Sequence, residues 1–228
     1  YLKKTYENNI SAVIAYDSRR FSKEFGNQTA KIFSANNIKS YIFSDLRPTP
    51  ELSFAVRELN CSCGIVITAS HNPKEYNGYK VYWNDGGQIT SPHDKNIISE
   101  VEKITDFNQI NFNFNSDLIE EIDIKIDKNY IEKIQDLSVY DNSRSKLKII
   151  FSSLHGTGIT QIPNALKAFG FKNISSVKSQ ELPDPEFSTV NSPNPEDLDA
   201  LDLGIKKLKK EKADILLATD PDSDRVGV

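Results

Sequence analysis

The chain alternates short apolar runs with longer segments whose apolar residues recur every three or four positions, a rhythm that predicts strands leading into helices. Ile10 to Ala15, Ser40 to Phe43 and Ile65 to Thr68 read as strands. Phe21, Phe25, Ile32 and Phe33 mark a helix after the first, and Leu52, Ala55, Val56 and Leu59 one after the second. Pro48 and Pro50 stiffen the loop before that second helix and are expected to delay its start until Glu51, leaving Thr49 in a rigid connector. Gly78 to Trp83 reads as a strand closed by the turn Asp85-Gly86-Gly87-Gln88, with Lys80 facing away from Tyr79 and Val81. Tyr82 and Trp83 are expected to pack rather than to bind ligand. A helix over Asp94 to Thr105 and an irregular crossing from Asp106 to Ser116 follow. The alternation Ile122, Ile124, Ile126 predicts an extended segment, and Tyr130, Ile131, Ile134 and Leu137 a helix.

After the polar, turn-like stretch Asp141 to Ser145 the rhythm resumes. Lys148 to Phe151, Ile174 to Val177 and Asp214 to Thr219 read as strands. Ile159, Ile162, Ala165, Leu166 and Phe169 line one helix, and Leu198, Leu201, Ile205 and Leu208 another whose Lys206, Lys207, Lys209 and Lys210 form a solvated face. Strand and helix in turn argue for parallel βαβ units. The prediction is an α/β fold of two consecutive domains, 1–140 and 141–228, each a mixed, mainly parallel sheet flanked by helices.

Composition narrows the function. A formal charge of −4 over 228 residues speaks against nucleic acid or an anionic membrane as the main partner. No apolar run approaches spanning length and no signal peptide pattern opens the chain, so the expected location is cytoplasmic. Cys61 and Cys63 stand too close for an ordinary disulfide and are expected to be free thiols. With no methionine and Tyr1 at its start, the chain is expected to be a piece of a longer protein.

Two loops carry candidate chemistry. The run Gly64 to Thr68 delivers Ala69-Ser70-His71-Asn72-Pro73, a strand end followed by a turn that leaves the Ser70 hydroxyl open to a ligand. The run Asp214 to Thr219 delivers Asp220-Pro221-Asp222-Ser223-Asp224-Arg225. Like charges about 4 Å apart repel by about 4 kcal/mol at an effective dielectric of ~20, so converging carboxylates need a cation, and oxygen ligands suggest Mg²⁺ or Ca²⁺. An EF-hand is disfavoured because Arg225 stands where its loop requires glycine. Arg19, just after the first strand, is placed to meet a phosphate. Arg19 and Lys80 are expected where truncation leaves the core intact. His155 reads as a satisfied loop histidine, and the Gly156-Thr157-Gly158 turn as support for the site.

Together these loops resemble the α-D-phosphohexomutase superfamily. Thr68 to Pro73 resembles its phosphoserine loop, Asn77-Gly78-Tyr79-Lys80 its lysine motif, Asp17-Ser18-Arg19 its Asp-x-Arg position, and Asp220 to Arg225 its magnesium loop. Leu154-His155-Gly156-Thr157-Gly158 and the run Pro183 to Glu196 resemble the phosphoglucomutase and phosphopentomutase branch. The resemblance implies the first two domains of that family, the first incomplete at its start and the second at its end. It implies Ser70 as phosphoryl carrier, with Lys80, Arg19 and His71 catalytic and Arg225 binding substrate. Mg²⁺ would be held by Ser70, Asp220, Asp222 and Asp224. The expected reaction interconverts glucose 1-phosphate and glucose 6-phosphate, with glucose 1,6-bisphosphate as intermediate and activating donor. A phosphopentomutase acting on ribose phosphates and a non-catalytic metal- or phosphate-binding piece are the alternatives. Residues 1–228 alone are expected to fold but not to complete a mutase cycle.

Overall fold

A computed structural model of the chain describes residues 1–140 and 146–228. In the first part α1 (Leu2–Thr5), β1 (Ser11–Tyr16), α2 (Ser22–Ala35), β2 (Lys39–Phe43), α3 (Thr49–Glu58), β3 (Cys63–Ile67), β4 (Tyr79–Trp83), α4 (His93–Val101), β5 (Ile119–Ile122) and α5 (Ile124–Gln135) follow one another. The strands form a sheet in the order β4-β3-β1-β2-β5, parallel except for β4, which runs against β3. The second part comprises β6 (Lys148–Ser152), α6 (Gly158–Ala168), β7 (Asn173–Ser176), α7 (Leu198–Glu211), β8 (Ile215–Thr219) and β9 (Val226–Gly227). Its sheet has the order β7-β6-β8-β9, with β9 antiparallel. Two α/β units with mixed, mainly parallel sheets are thus present.

The buried apolar runs become central strands because both of their faces are covered. On β1, Val13 and Ala15 pack with Phe43, Leu52, Val56, Val66 and Ile126 beneath α3 and α5. Ile14 and Tyr16 turn the other way, to Ala30, Ile42, Ile65 and Ile67 beneath α2. Each large side chain so buried contributes about 1.5–3 kcal/mol. In the second unit Ile150, Leu216 and Ala218 pack against Ala200 and Leu201 of α7. Cys61 and Cys63 are free and buried, and burial pushes their thiols up to about 11 and about 12, leaving them inert.

Local predictions needed correction at two points. α3 begins at Thr49 rather than Glu51, because Pro50 falls in the first turn, where a missing N–H costs nothing. The extended segment ends at Ile122: Asp123 caps α5 by accepting from the Ile124 N–H at 2.5 Å, so Ile126 is 4% exposed while Ile124 is 75% exposed. The predicted domain boundary at 140/141 touches residues 141–145, which lie outside the described residues. Among those described, no helix is long and apolar enough to cross a membrane.

Candidate active site

Loops from the carboxyl ends of β1, β3 and β8 converge, the place where open α/β sheets present ligand-binding groups. The foundation is Asp17, just past β1 and 3% exposed. Its Oδ1 accepts from the Arg19 N–H at 2.9 Å and the Ser22 hydroxyl at 2.7 Å, and its Oδ2 from the Thr68 hydroxyl at 2.7 Å. Thr68 Oγ1 in turn accepts from the Ser70 N–H at 2.8 Å. The chain leaves β3 so bent that Ser70 has φ +52°, in the left-handed region that non-glycine residues seldom adopt. Gly78 permits the close return: a Cβ there would lie 2.6 Å from the Thr68 carbonyl oxygen.

Arg19 secures this turn from below. Its guanidinium donates to the carbonyls of Ser70 at 2.6 Å, Asn72 at 2.5 Å, and Pro73 and Tyr76 at 2.9 Å. Its ion pair to Asp17 measures 3.3 Å, and the Phe187 ring of the second unit lies 5.1 Å away. At 3% exposure Arg19 is part of the packing, which corrects the expectation that its side chain can be truncated freely. These bonds go to the loop's carbonyls, so Arg19 shapes the loop from within.

The acidic loop meets the serine turn across the two units. Ser70 Oγ donates to Asp220 Oδ2 at 2.7 Å and lies 3.2 Å from His71 Nδ1. Asp220, Asp222 and Asp224 offer carboxylate oxygens within 4.8 Å of one another. Burial, then the charges of Asp222 and Asp224, push Asp220 up to about 8. Lys80 answers this charge, reaching Asp222 Oδ2 at 2.8 Å and Asp224 Oδ2 at 2.9 Å. Burial would lower its ammonium, but the two aspartates outweigh that and hold it above its ordinary value. Arg225 turns away: its N–H donates to Asp220 Oδ1 at 3.0 Å and its guanidinium to Glu196 at 2.8 Å.

The glycine turn supports the acidic loop. The Thr157 N–H donates to the Pro221 carbonyl at 2.7 Å, and a Cβ on Gly156 would lie 2.3 Å from Pro221 Cα. His155 is satisfied, bonded to Leu182 O and Thr189 Oγ1. The structure therefore brings Ser70, His71, Lys80 and all three aspartates together, with Arg19 beneath the turn and Arg225 at the rim. Sequence alone gave Asp17 and Thr68 no role of their own, though both stand in the resembling motifs, and gave no sign of the reach of Thr49 and Glu51 across the interface. It also missed Glu186, which pairs with Lys74 at 3.0 Å and with Arg20. The Asp17-to-Thr68 link joins ends of neighbouring strands, and the parallel order of those strands was the available signal.

Comparison with known proteins identifies the family of this fold. Residues 1–108 match the family described as phosphoglucomutase/phosphomannomutase, alpha/beta/alpha domain I, and residues 128–228 match its domain II. The chain belongs to the phosphoglucomutase/phosphomannomutase family. It is 42% identical over 231 residues to a phosphoglucomutase of Staphylococcus haemolyticus (strain JCSC1435), covering 100% of this chain and 42% of the relative. To a phosphoglucomutase of Staphylococcus aureus (strain MRSA252) it is 41% identical over 224 residues, covering 97% and 40%. Among solved structures, a putative phosphomannomutase from Thermus thermophilus superposes with a TM-score of 0.79 at 25% identity, covering 96% of this chain and 48% of that one. The phosphoglucomutase parafusin of Paramecium superposes with a TM-score of 0.70 at 20% identity, covering 96% and 45%, which speaks to the fold alone. The chain spans about two-fifths of the length of the curated relatives it matches.

Proposed function

We propose that this chain supplies the phosphoryl carrier and the cation-binding loop of a phosphoglucomutase. The observation that carries the reading is the 2.7 Å hydrogen bond from Ser70 Oγ to Asp220 Oδ2, which sets a strained, strand-end hydroxyl against three convergent carboxylates. In the first half-reaction the free hydroxyl oxygen of a sugar monophosphate bonds to the phosphorus on Ser70 as the P–Oγ bond breaks, and the hydroxyl proton ends on Oγ. In the second, Oγ bonds to the phosphorus of the other phosphoryl group as the bond from that phosphorus to the sugar oxygen breaks, and the proton Oγ gives up ends on the freed sugar oxygen. Asp220 Oδ2 and His71 Nδ1 lie within hydrogen-bonding reach of Oγ.

Phosphoryl transfer asks mainly for positioning and for neutralisation of the oxygens in flight. Arg19 provides positioning through the loop it holds. Lys80, kept charged by its aspartates, provides positive charge at the acidic loop that faces Ser70 and is better suited to that than to taking up a proton. The donor set fits Mg²⁺: it is all hard oxygen, from Ser70, Asp220, Asp222 and Asp224, and Asp222 Oδ1 is buried without a hydrogen-bond partner among the described residues. When bound, Mg²⁺ supplies charge against the oxygens of the transferring group.

Glucose phosphates are the proposed substrates, and glucose 1,6-bisphosphate the proposed activating donor, because relatives at 41–42% identity carry the name phosphoglucomutase. The test is steady-state kinetics of the full-length protein with Mg²⁺ and glucose 1,6-bisphosphate, comparing glucose 1-phosphate with ribose 1-phosphate. The reading predicts a clear kcat/KM preference for the hexose and none of this turnover in Ser70→Ala. A preference for the pentose would make it a phosphopentomutase, and a folded protein inert to both would make it a binding protein.

A further inference from the structure

The start of α3 reaches Asp222 twice. The Thr49 N–H donates to the Asp222 backbone carbonyl at 2.8 Å, and the Thr49 hydroxyl donates to Asp222 Oδ2 at 2.8 Å. Thr49 is 3% exposed and Asp222 is fully buried. As the first residue of its helix, Thr49 carries an N–H that the helix itself leaves unpaired, so it is free to bind another segment. Pro48, at φ −59°, and Pro50 stiffen the backbone on either side, which makes this a rigid clamp.

The two oxygens of Asp222 are treated differently. Oδ2 receives both the Thr49 hydroxyl and the Lys80 ammonium, each at 2.8 Å. Oδ1 is buried and has no hydrogen-bond partner among the described residues. A carboxylate oxygen stripped of water and left bare is costly, so a fold that keeps one has a use for it.

We propose that Thr49 is a positioning residue of the cation site: by occupying Oδ2 and pinning the loop's backbone, it commits Asp222 Oδ1 to the cation. This rests on the reading of Asp220, Asp222 and Asp224 as a divalent-cation site. Thr49 acts through Asp222, to which its N–H and its hydroxyl both donate. It also makes the cation site dependent on docking of the two units, since the clamp joins residues 173 positions apart.

The test is Mn²⁺ binding to the full-length protein, followed by electron paramagnetic resonance, for wild type, Thr49→Val, Thr49→Ser and Asp222→Asn, with thermal melts as the fold control. Removing an outer-shell partner weakens metal affinity about 10- to 100-fold, and this is expected for Thr49→Val, while Thr49→Ser keeps the hydroxyl and stays within about twofold of wild type. Should Thr49→Val fail to fold, Thr49→Ala carries the same expectation. Folded Thr49 variants that bind Mn²⁺ as wild type does, while Asp222→Asn does not, would overturn the role of Thr49 and leave the cation site standing. A wild type that binds no Mn²⁺ would overturn both.

Discussion

The Arg19 guanidinium donates to the backbone carbonyl of Ser70 at 2.6 Å, and the same group ties down the carbonyls of Asn72, Pro73 and Tyr76. Planar donors spread over several carbonyls are something a lysine ammonium cannot reproduce. Arg19→Lys is therefore expected to fare nearly as badly as Arg19→Ala, each losing roughly 2–4 kcal/mol of stability because buried acceptors lose their donors, with Arg19→Ala also stripping Asp17 of its counter-ion. Limited proteolysis should open the segment around Ser70 before the rest of the unit. Wild-type stability and protease resistance in Arg19→Lys would show that the clamp is dispensable.

Lys80 serves a different purpose. It stands among the carboxylates of Asp222 and Asp224, so in the absence of a divalent ion it is the charge that holds the acidic loop together. Lys80→Ala leaves those carboxylates repelling one another. Turnover should fall at least 100-fold, about 2.7 kcal/mol of transition-state stabilisation. Added Mg²⁺ should raise the melting temperature of Lys80→Ala by more than it raises that of wild type. An equal or smaller rise would mean that Lys80 and the cation do not share these carboxylates.

A third expectation concerns the interface behind the site. Glu51 is fully buried, with Gln161 of α6 at 3.4 Å, while Arg47 forms a paired contact to Asp127 at 2.8 and 2.9 Å. Burial, then the neighbouring Asp127, push Glu51 up to about 9, whereas Arg47 holds Asp127 low despite its partial burial. A carboxyl whose pKa is raised on folding keeps its proton in the folded state and loses it on unfolding. Its contribution is complete below the ordinary value near 4.5 and declines as pH rises toward about 9. Glu51→Gln mimics the protonated form, so its melting temperature relative to wild type should climb between pH 5 and pH 9. A difference that stays flat across that range would show that Glu51 is charged in the folded protein.

What was legible in the sequence follows from how local each signal is. Ile65 to Ile67 and Leu216 to Ala218 are apolar runs with polar loops directly after them, so the strands and the placement of Ser70 and the aspartates could be read from a few residues. The role of Arg19 could not, because its partners are backbone carbonyls 51 to 57 positions away, and carbonyls leave no mark on side-chain identity. The pairing of Thr49 with Asp222 joins the first residue of α3 to a loop residue across the unit interface, and neither is unusual alone. The Ile122-Ile124-Ile126 alternation misled because isoleucines two apart fit a strand, while the cue to the helix was the capping Asp123. The Gly156-Thr157-Gly158 turn shows only as a turn in the sequence, and it is the close approach of Gly156 to Pro221 that ties it to the acidic loop.

Whether Ser70 carries the phosphoryl group is decided by peptide mass spectrometry of the full-length protein after incubation with glucose 1,6-bisphosphate and Mg²⁺. Phosphate is expected on the peptide containing Ser70, released when a sugar monophosphate is added in excess, and absent in Ser70→Ala. Phosphate on another residue, with Ser70→Ala folded and fully active, would contradict that expectation.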